Sequence, residues 1–193
     1  MADAPVPTAR KPRADAERNR LRLLDAAKTV FADKGNDSSL EEIARTAGVG
    51  IGTLYRHFPT RDALIEQVYR NESEQLAQAA ADLARTQPPV EALRLWMRLF
   101  VDYLATKQIM AEALNAMVSG PTELYAASGA QLKASIADLA GRAIASGAIR
   151  LDMEPLDLLR ALVGVAQPAA GSAGRESAKR LVDMMIAGAR VAD

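Results

Sequence analysis

The sequence lacks cysteine and contains only one histidine, His57. The absence of cysteine excludes a disulfide framework, a thiolate nucleophile and a cysteine-ligated zinc site. A single histidine is too few for a histidine-based metal site, so we expect no metal and no cofactor. The residues also show no nucleophile–base pair and no glycine-rich phosphate loop, and an enzyme is not indicated.

Net charge and long apolar runs are absent as well. The 193 residues include 24 basic and 24 acidic side chains, so composition alone indicates neither nucleic acid nor a membrane surface as the partner. No segment approaches the roughly 18 consecutive apolar residues of a membrane span. The N-terminus carries charges and prolines where a signal peptide would be apolar. We therefore expect a cytoplasmic protein without membrane association.

Residues 40–58 carry the clearest local pattern. Apolar residues from Leu40 fall at helical spacing, and Gly48-Val49-Gly50 then interrupts the pattern. A second short helix is predicted from Ile51 to Phe58. Two short helices joined by a tight glycine-containing turn form a helix-turn-helix, whose second helix enters the major groove of DNA. The sequence therefore predicts a DNA-binding protein.

The segments that precede this pattern also contain local signals. Residues 1–14 are basic and proline-containing, and they form either a solvated tail or an arm that reaches phosphates or a minor groove. Asp15 is expected to cap a first helix and Gly35 to end it. Residues 36–39 are predicted to form a loop, and Ser39 with Glu42 makes a capping box for the next helix. Ser38 with Glu41 offers the same pattern one residue earlier. In either register the serine hydroxyl and neighbouring amides can also meet a phosphate.

The predicted second helix of the motif has two different faces. Leu54 and Phe58 lie four residues apart and are expected to pack inward. Thr53 and Tyr55 can donate to phosphate oxygens, and Arg56 can bind a guanine edge or a phosphate. His57 taken alone is either a phosphate donor or an ordinary surface histidine.

The motif resembles the N-terminal domain of the TetR family of bacterial transcriptional regulators. The resemblance rests on Leu40, Ile43-Ala44, Ala47-Gly48-Val49, Gly52-Thr53-Leu54-Tyr55, His57-Phe58, Arg61 and Leu64. It implies phosphate contacts for Tyr55 and His57, base or phosphate contacts for Thr53 and Arg56, and a backbone contact for Arg61. The DNA-binding residues predicted in this way are Ser39, Gly50, Ile51, Gly52, Thr53, Tyr55, Arg56, His57 and Arg61.

The sequence departs from the commoner family pattern at two of these positions. Gly50 and Ile51 stand where a Ser or Thr cap and a polar or basic residue are frequent. Gly50 can still act as an N-cap. Ile51 cannot hydrogen-bond a base, and it either meets a thymine methyl or packs against the protein.

The fifth predicted helix, from Val90 to about Lys107, is apolar around nearly its whole circumference, so it is buried. It forms either a dense core or one wall of a ligand pocket, with Trp96 and Tyr103 as polar tips. A short sixth helix is predicted from Gln108 to Ser119, and its methionines suit both interpretations. The residues predicted to line such a pocket are Trp96, Met97, Phe100, Tyr103, Met110, Leu114, Met117 and Tyr125.

The last two predicted helices, which begin at Pro155 and at Glu176, have broader apolar faces than a small core requires. Val163 is expected on the inward face of the first of them. Pairing with a second copy of the chain would bury that surface in a four-helix interface, and a two-fold dimer suits DNA half-sites. The residues predicted at this interface are Leu158, Leu162, Val165, Leu181, Val182, Met185, Ile186 and Ala189.

We thus predict an all-α fold of about nine helices. It comprises a flexible arm at 1–14, a three-helix DNA-binding domain with the helix-turn-helix at 15–60, and a helical ligand-binding and dimerisation domain at 61–193. In this division the helix that starts at Arg61 is expected to connect the two domains.

The resemblance implies a homodimeric regulator, usually a repressor, that leaves a palindromic double-stranded DNA operator when a small apolar or amphipathic effector binds. The Ala-rich C-terminal half is similar to an actinobacterial subgroup. The contrasting possibility is an architectural protein whose C-terminal bundle only assembles partners.

Overall fold

The fold is all-α, as expected. The computed structural model describes residues 11–117, 122–166 and 172–191. Within these residues, nine α-helices and one short 3₁₀ helix follow one another, and the only β-type pairing there is the isolated bridge between Ile149 and Arg190. The α-helices are α1 (Lys11–Lys34), α2 (Leu40–Thr46), α3 (Ile51–His57), α4 (Arg61–Thr86), α5 (Pro89–Ile109), α6 (Ala111–Asn115), α7 (Thr122–Ala145), α8 (Pro155–Ala166) and α9 (Ser172–Ala189).

The chain forms two compact units, and the division between them falls within α4. One unit ends at Val68 and the other begins at Tyr69. The helix α4 therefore contributes side chains to the core of each unit. The domain limits expected at residues 14 and 60 stay a prediction.

The first unit packs α1 against α2 and α3. Leu24, Ala27 and Phe31 follow one another at helical spacing on α1, and all three are buried. Ile43 of α2 and Leu54 of α3 are fully buried as well, and α1 contacts both of these helices. This core holds the two short helices of the motif, which would be marginal in isolation.

The helix α1 begins at Lys11 rather than at the expected cap Asp15, so residues 11–14 belong to it, while residues 1–10 of the predicted arm lie outside the described residues. Pro12 is tolerated there because amides in the first helical turn have no intrahelical partner. Gly35 does end α1 with a left-handed φ of 52°. It also opens a 3₁₀ helix, Gly35–Asp37, where the sequence predicted an irregular loop.

The second unit is built around α5, which packs against α7, α8 and α9. Trp96 and Met97 of this helix are fully buried, which confirms the burial expected from its apolar circumference. Within this unit Arg94 of α5 donates to Glu91 and to Asp183 of α9, and Arg98 donates to the other oxygen of Asp183 at 2.8 Å. This ion-pair network joins α5 to α9.

Three helices of the second unit differ from the sequence-based expectation. The helix α6 ends at Asn115, although the prediction extended it to Ser119, and α9 begins at Ser172 instead of Glu176. On α8 the inward residues are Leu158, Leu159 and Leu162, whereas Val163, which was expected inward, is 36% exposed. The apolar residues of α8 are nearly continuous, so their spacing alone is compatible with more than one buried face.

Candidate DNA-binding and effector sites

The helices α2 and α3 form the predicted helix-turn-helix. The amide of Val49 donates to the carbonyl of Ala44 at 3.0 Å, and Gly48 has a φ of 65°. This left-handed residue lets the chain leave α2 and enter α3 within a few residues. The Nη2 atom of Arg22 on α1 lies 2.7 Å from the position that a Cβ at Gly48 would occupy. The short turn, with Gly48 in a left-handed conformation, therefore sets the position of α3.

The outward side of α3 carries the side chains predicted to contact DNA. Tyr55 is 46% exposed, Arg56 is also exposed, and Thr53 and His57 are half-buried. Leu54 is buried and points into the core of the unit. The structure thus brings together four groups that can donate hydrogen bonds, on one short helix.

The positions at the start of α3 are open to solvent. A Cβ at Gly50 or at Gly52 would meet no atom within 4 Å, and both residues are exposed. Ile51 between them is 36% exposed. This exposure does not fit the interpretation in which Ile51 packs into the protein, and it leaves the side chain available for an apolar contact.

Ser39 caps α2 in the way the sequence predicted. Its hydroxyl accepts from the Glu42 amide at 3.1 Å, which selects the Ser39 register over the alternative at Ser38. The Glu42 carboxylate is bonded to Lys34 at 2.7 and 2.9 Å. Ser39 is exposed, so the cap lies on the surface of the unit.

Arg61 is placed differently from the other predicted DNA-binding residues. Its guanidinium group donates to the carbonyls of Ser38 and Gly35 and to the Ser38 hydroxyl, and it lies 5.1 Å from the centroid of the Phe31 ring. The side chain is half-buried. The sequence placed Arg61 at the start of α4 correctly, but its spacing did not show that the side chain is directed to the connection between α1 and α2.

The residues predicted to line an effector pocket lie together in the second unit, mostly on α5 and α6. All are buried except Tyr125, which is half-buried. Trp96 stacks on Phe100 with ring centroids 5.9 Å apart, and Phe100 stacks on Tyr103 at 6.0 Å. The indole N–H of Trp96 donates to the Leu76 carbonyl at 2.8 Å, so this polar tip already has a partner on α4.

Three residues that the sequence analysis missed complete this cluster. Tyr69 accepts from the Tyr103 hydroxyl at 2.7 Å and lies 3.1 Å from the Ser128 hydroxyl. Lys107 places its ammonium 4.0 Å from the centroid of the Tyr125 ring. Ser128 stands at helical spacing between the apolar Leu124 and Leu132, and that position in a buried stripe was the signal that could have identified it.

Two tyrosines of this cluster, Tyr103 and Tyr125, have a pKa above the ordinary value for tyrosine. Burial raises the pKa of Tyr103 well above its ordinary value, and the hydrogen bond with Tyr69 raises it further. Burial is also the main cause of a raised pKa at Tyr125. A tyrosine hydroxyl is protonated at neutral pH in any case, and the raised pKa extends this form further into alkaline solution, so both hydroxyls act as hydrogen-bond donors or acceptors.

Two family models match the chain in succession. The model for bacterial regulatory proteins of the tetR family matches residues 23–68. The model for the C-terminal domain of SbtR-like transcriptional regulators matches residues 88–191, which is more than half of the chain. The chain belongs to the TetR family.

TetR-family structures extend this similarity over nearly the full length. The TetR transcriptional regulator SCO0520 from Streptomyces coelicolor is 43% identical, and the match covers 90% of this chain and 99% of that one with a TM-score of 0.82. A TetR regulator from Mycobacterium vanbaalenii is 33% identical over 93% and 99% of the two chains, with a TM-score of 0.74.

A curated TetR-type relative matches a shorter part of the chain. The regulator UidR from Escherichia coli K12 is 32% identical over 91 residues, which span 47% of this chain and 41% of UidR. The family assignment makes the protein a DNA-binding transcriptional regulator and not an enzyme. Among the described residues, no helix is both long and apolar enough to cross a bilayer.

The residues that the sequence assigned to a TetR-type dimer interface fall into two groups, one buried within the chain and one partly or largely exposed. Leu158, Leu162, Val182 and Ile186 are between 0% and 4% exposed within a single chain. They already pack in the core of the second unit and present no surface to a partner in this conformation. Leu181, Met185 and Ala189 are half-buried, and Val165 is 40% exposed.

Proposed function

We propose that the protein is a homodimeric, effector-responsive repressor that binds a palindromic operator. The observation that carries this proposal is the outward side of α3, where Tyr55 and Arg56 are exposed beside Gly50 and Gly52. Core packing does not account for exposed aromatic and cationic side chains next to two glycines in one short helix. Close approach of α3 to a DNA groove accounts for both the exposed side chains and the glycines.

Each side chain of α3 has a chemical role in this proposal. Tyr55, Thr53 and His57 donate to phosphate oxygens, and these contacts set the register without reading sequence. Arg56 binds a guanine edge or a phosphate, and Ile51 contacts a thymine methyl. The lack of side chains at Gly50 and Gly52 allows the helix backbone to approach the groove. Ser39 adds a phosphate contact from the start of α2.

Dimerisation is proposed through α8 and α9. Their exposed residues include Val163, Val165 and Met184, with Met184 68% exposed. Gly164 and Gly188 are also exposed, with nothing within 4 Å of a Cβ at either position, so another helix can come close to both. An isologous contact of two such helices from each copy makes a four-helix interface. We therefore centre the interface on these residues, together with the half-buried Leu181, Met185 and Ala189.

The effector is proposed to bind at the aromatic cluster of the second unit. The rings from Trp96 to Tyr125 provide an apolar surface, and a few hydroxyls and Lys107 provide polarity, the usual composition of a small-molecule site. Trp96 and Ser128 also connect this cluster to α4 through Leu76 and Tyr69. An effector that separates these contacts would alter the position of α4, and a coupling of about 1 to 3 kcal/mol is typical of such allostery.

The test is selection of bound fragments from the source genome with the full-length protein. We expect enrichment of a two-fold symmetric sequence with half-site centres about 34 to 36 Å apart, or a multiple of that distance. Arg56→Ala should weaken binding and relax the sequence preference, whereas Tyr55→Phe should weaken binding similarly on all sequences. Enrichment of asymmetric or unrelated fragments would contradict the proposal of a palindromic operator.

The effector is tested by thermal shift with a panel of apolar and amphipathic compounds. A compound that raises the melting temperature should also release the selected duplex at matched concentrations. Stabilisation without release would contradict effector control. No stabilisation by any compound would favour the architectural alternative, in which the second unit only assembles partners.

A further inference from the structure

Arg61 is the one predicted DNA-binding residue whose guanidinium group is engaged within its own unit. Nη1 donates to the Ser38 carbonyl, and Nη2 donates to the Ser38 hydroxyl at 2.8 Å and to the Gly35 carbonyl at 3.3 Å. The planar fork of an arginine can reach several acceptors at once, which an ammonium group cannot reproduce with the same geometry. One side chain at the start of α4 thus binds the turn that joins α1 to α2.

Other contacts also shape the turn that Arg61 binds, among them the Lys34–Glu42 ion pair across it. Gly35 takes a left-handed φ of 52°, and the Ser38 hydroxyl donates to the Gly35 carbonyl at 2.7 Å. Ser38 is 5% exposed, so its hydroxyl is not available to DNA. Ser39 follows directly and caps α2, which in turn packs against α3. The position of this turn therefore affects where Ser39 and α3 lie relative to α1.

We propose that Arg61 is a positioning residue for DNA binding, which acts by fixing the Gly35–Ser38 turn, and that it is not a phosphate contact. This inference rests on the proposed DNA contacts of Ser39 and α3. A direct phosphate contact and a positioning role make different predictions, because only the first releases a counterion from DNA when the complex forms.

The test uses the full-length protein and a duplex that the wild type has recovered from random-sequence DNA. Arg61→Gln should bind this duplex about tenfold more weakly. The slope of log affinity against log salt concentration should stay at the wild-type value. Arg61→Lys, which keeps the charge and loses the fork, should restore little of the affinity. Ser38→Ala should also weaken binding, and the double variant should lose less than the product of the two separate losses.

Thr60→Ala is the matched control for general loss of stability. The Thr60 hydroxyl accepts from the Ala63 amide at 3.1 Å and caps α4, next to Arg61 in the chain. This variant should melt at a lower temperature and bind DNA as the wild type does at temperatures where it is folded.

Three outcomes would overturn the proposal. A slope reduced by about 0.9 in Arg61→Gln, with binding restored in Arg61→Lys, would show a direct phosphate contact. Wild-type affinity in folded Arg61→Gln would show a role in stability alone. Failure of the wild type to enrich any duplex would instead contradict the proposed DNA contacts themselves, and the role of Arg61 would fall with them.

Discussion

The Tyr103 hydroxyl of α5 donates to the Tyr69 hydroxyl of α4 at 2.7 Å, in the interior of the second unit. Tyr69 in turn meets the Ser128 hydroxyl at 3.1 Å, and Ser128 donates to the Leu124 carbonyl at 3.0 Å. The Ser128 hydroxyl can also donate to the Tyr125 carbonyl at 3.2 Å, and because its proton is directed to these carbonyls we infer that Tyr69 donates to Ser128. The result is a single directed chain of hydrogen bonds that joins α5, α4 and α7.

We expect the two ends of this chain to differ in their effect on stability. Ser128→Ala leaves the buried Tyr69 hydroxyl without an acceptor, which costs about 1 to 3 kcal/mol. Tyr103→Phe removes a donor and leaves an oxygen that retains its other bond, so its cost is about 1 kcal/mol. Urea unfolding followed by Trp96 fluorescence would measure both losses. An equal or larger loss for Tyr103→Phe would contradict the direction of the chain.

The raised pKa of Tyr103 predicts a loss of stability in alkaline solution. A hydroxyl that binds its proton more tightly in the folded state stabilises the fold fully below the pKa of the unfolded chain, about 10 for tyrosine. Above that pH the stabilisation is lost progressively. In Tyr103→Phe the decline above pH 10 should be shallower by up to about 1.4 kcal/mol per pH unit. Equal slopes for variant and wild type in urea unfolding would contradict this prediction.

Gly48→Ala tests whether the turn of the motif depends on backbone conformation. At a φ of 65° an alanine is strained, so we expect a loss of about 1 to 2 kcal/mol. The nearest atom to the new Cβ would be Nη2 at the end of the flexible Arg22 side chain, which can move away. Adding Arg22→Ala should therefore not restore stability. Native-state hydrogen exchange of the α2 and α3 amides would measure the loss.

Gly50→Ala is the control for this substitution. Gly50 lies in the same turn but has a φ of −71°, and a Cβ there would meet no atom within 4 Å. Because alanine is a poorer N-cap than glycine, exchange of the same amides should rise, but by less than in Gly48→Ala. If Arg22→Ala restored the stability of Gly48→Ala, the need for glycine at position 48 would come from contact with the Arg22 side chain and not from the backbone φ.

The local signals in the sequence predicted much of this architecture. The cap at Ser39, the left-handed end of α1 at Gly35 and the start of α4 at Arg61 all lie where the residues indicated. Each depends on interactions among residues close in the chain, such as a hydroxyl with an amide three positions later. Sequence patterns contain that information directly.

The features that were not predictable depend on contacts between distant residues. The direction of the Arg61 side chain is decided by carbonyls that precede it by 23 and 26 positions. Because an arginine side chain is long and flexible, the sequence does not indicate which acceptors it will reach. The apolar residues of α8 are nearly continuous, so its buried face is decided by packing against α5, α7 and α9. Tertiary packing therefore determined both features.

The exposed residue Met184 provides the sharpest test of the proposed dimer. It is 68% exposed on α9, so a glutamate there is compatible with the folded chain, whereas at Ile186, which is 3% exposed, a charge would disrupt the core. In a two-fold interface each substitution acts twice, and Met184→Glu would place two carboxylates in a contact that excludes water. We expect monomers in sedimentation analysis and melting near the wild-type temperature at low protein concentration.

The matched control is Met153→Glu, because Met153 is 54% exposed in the connection before α8 and outside both helices. This variant should sediment as the wild type does. Loss of the dimer should also weaken operator binding, because a monomer engages one half-site at a time and loses the gain from simultaneous contact. If the Met184→Glu protein were still dimeric, the dimer interface would not include this part of α9. A monomeric variant that binds the operator with wild-type affinity would contradict the palindromic mode of binding.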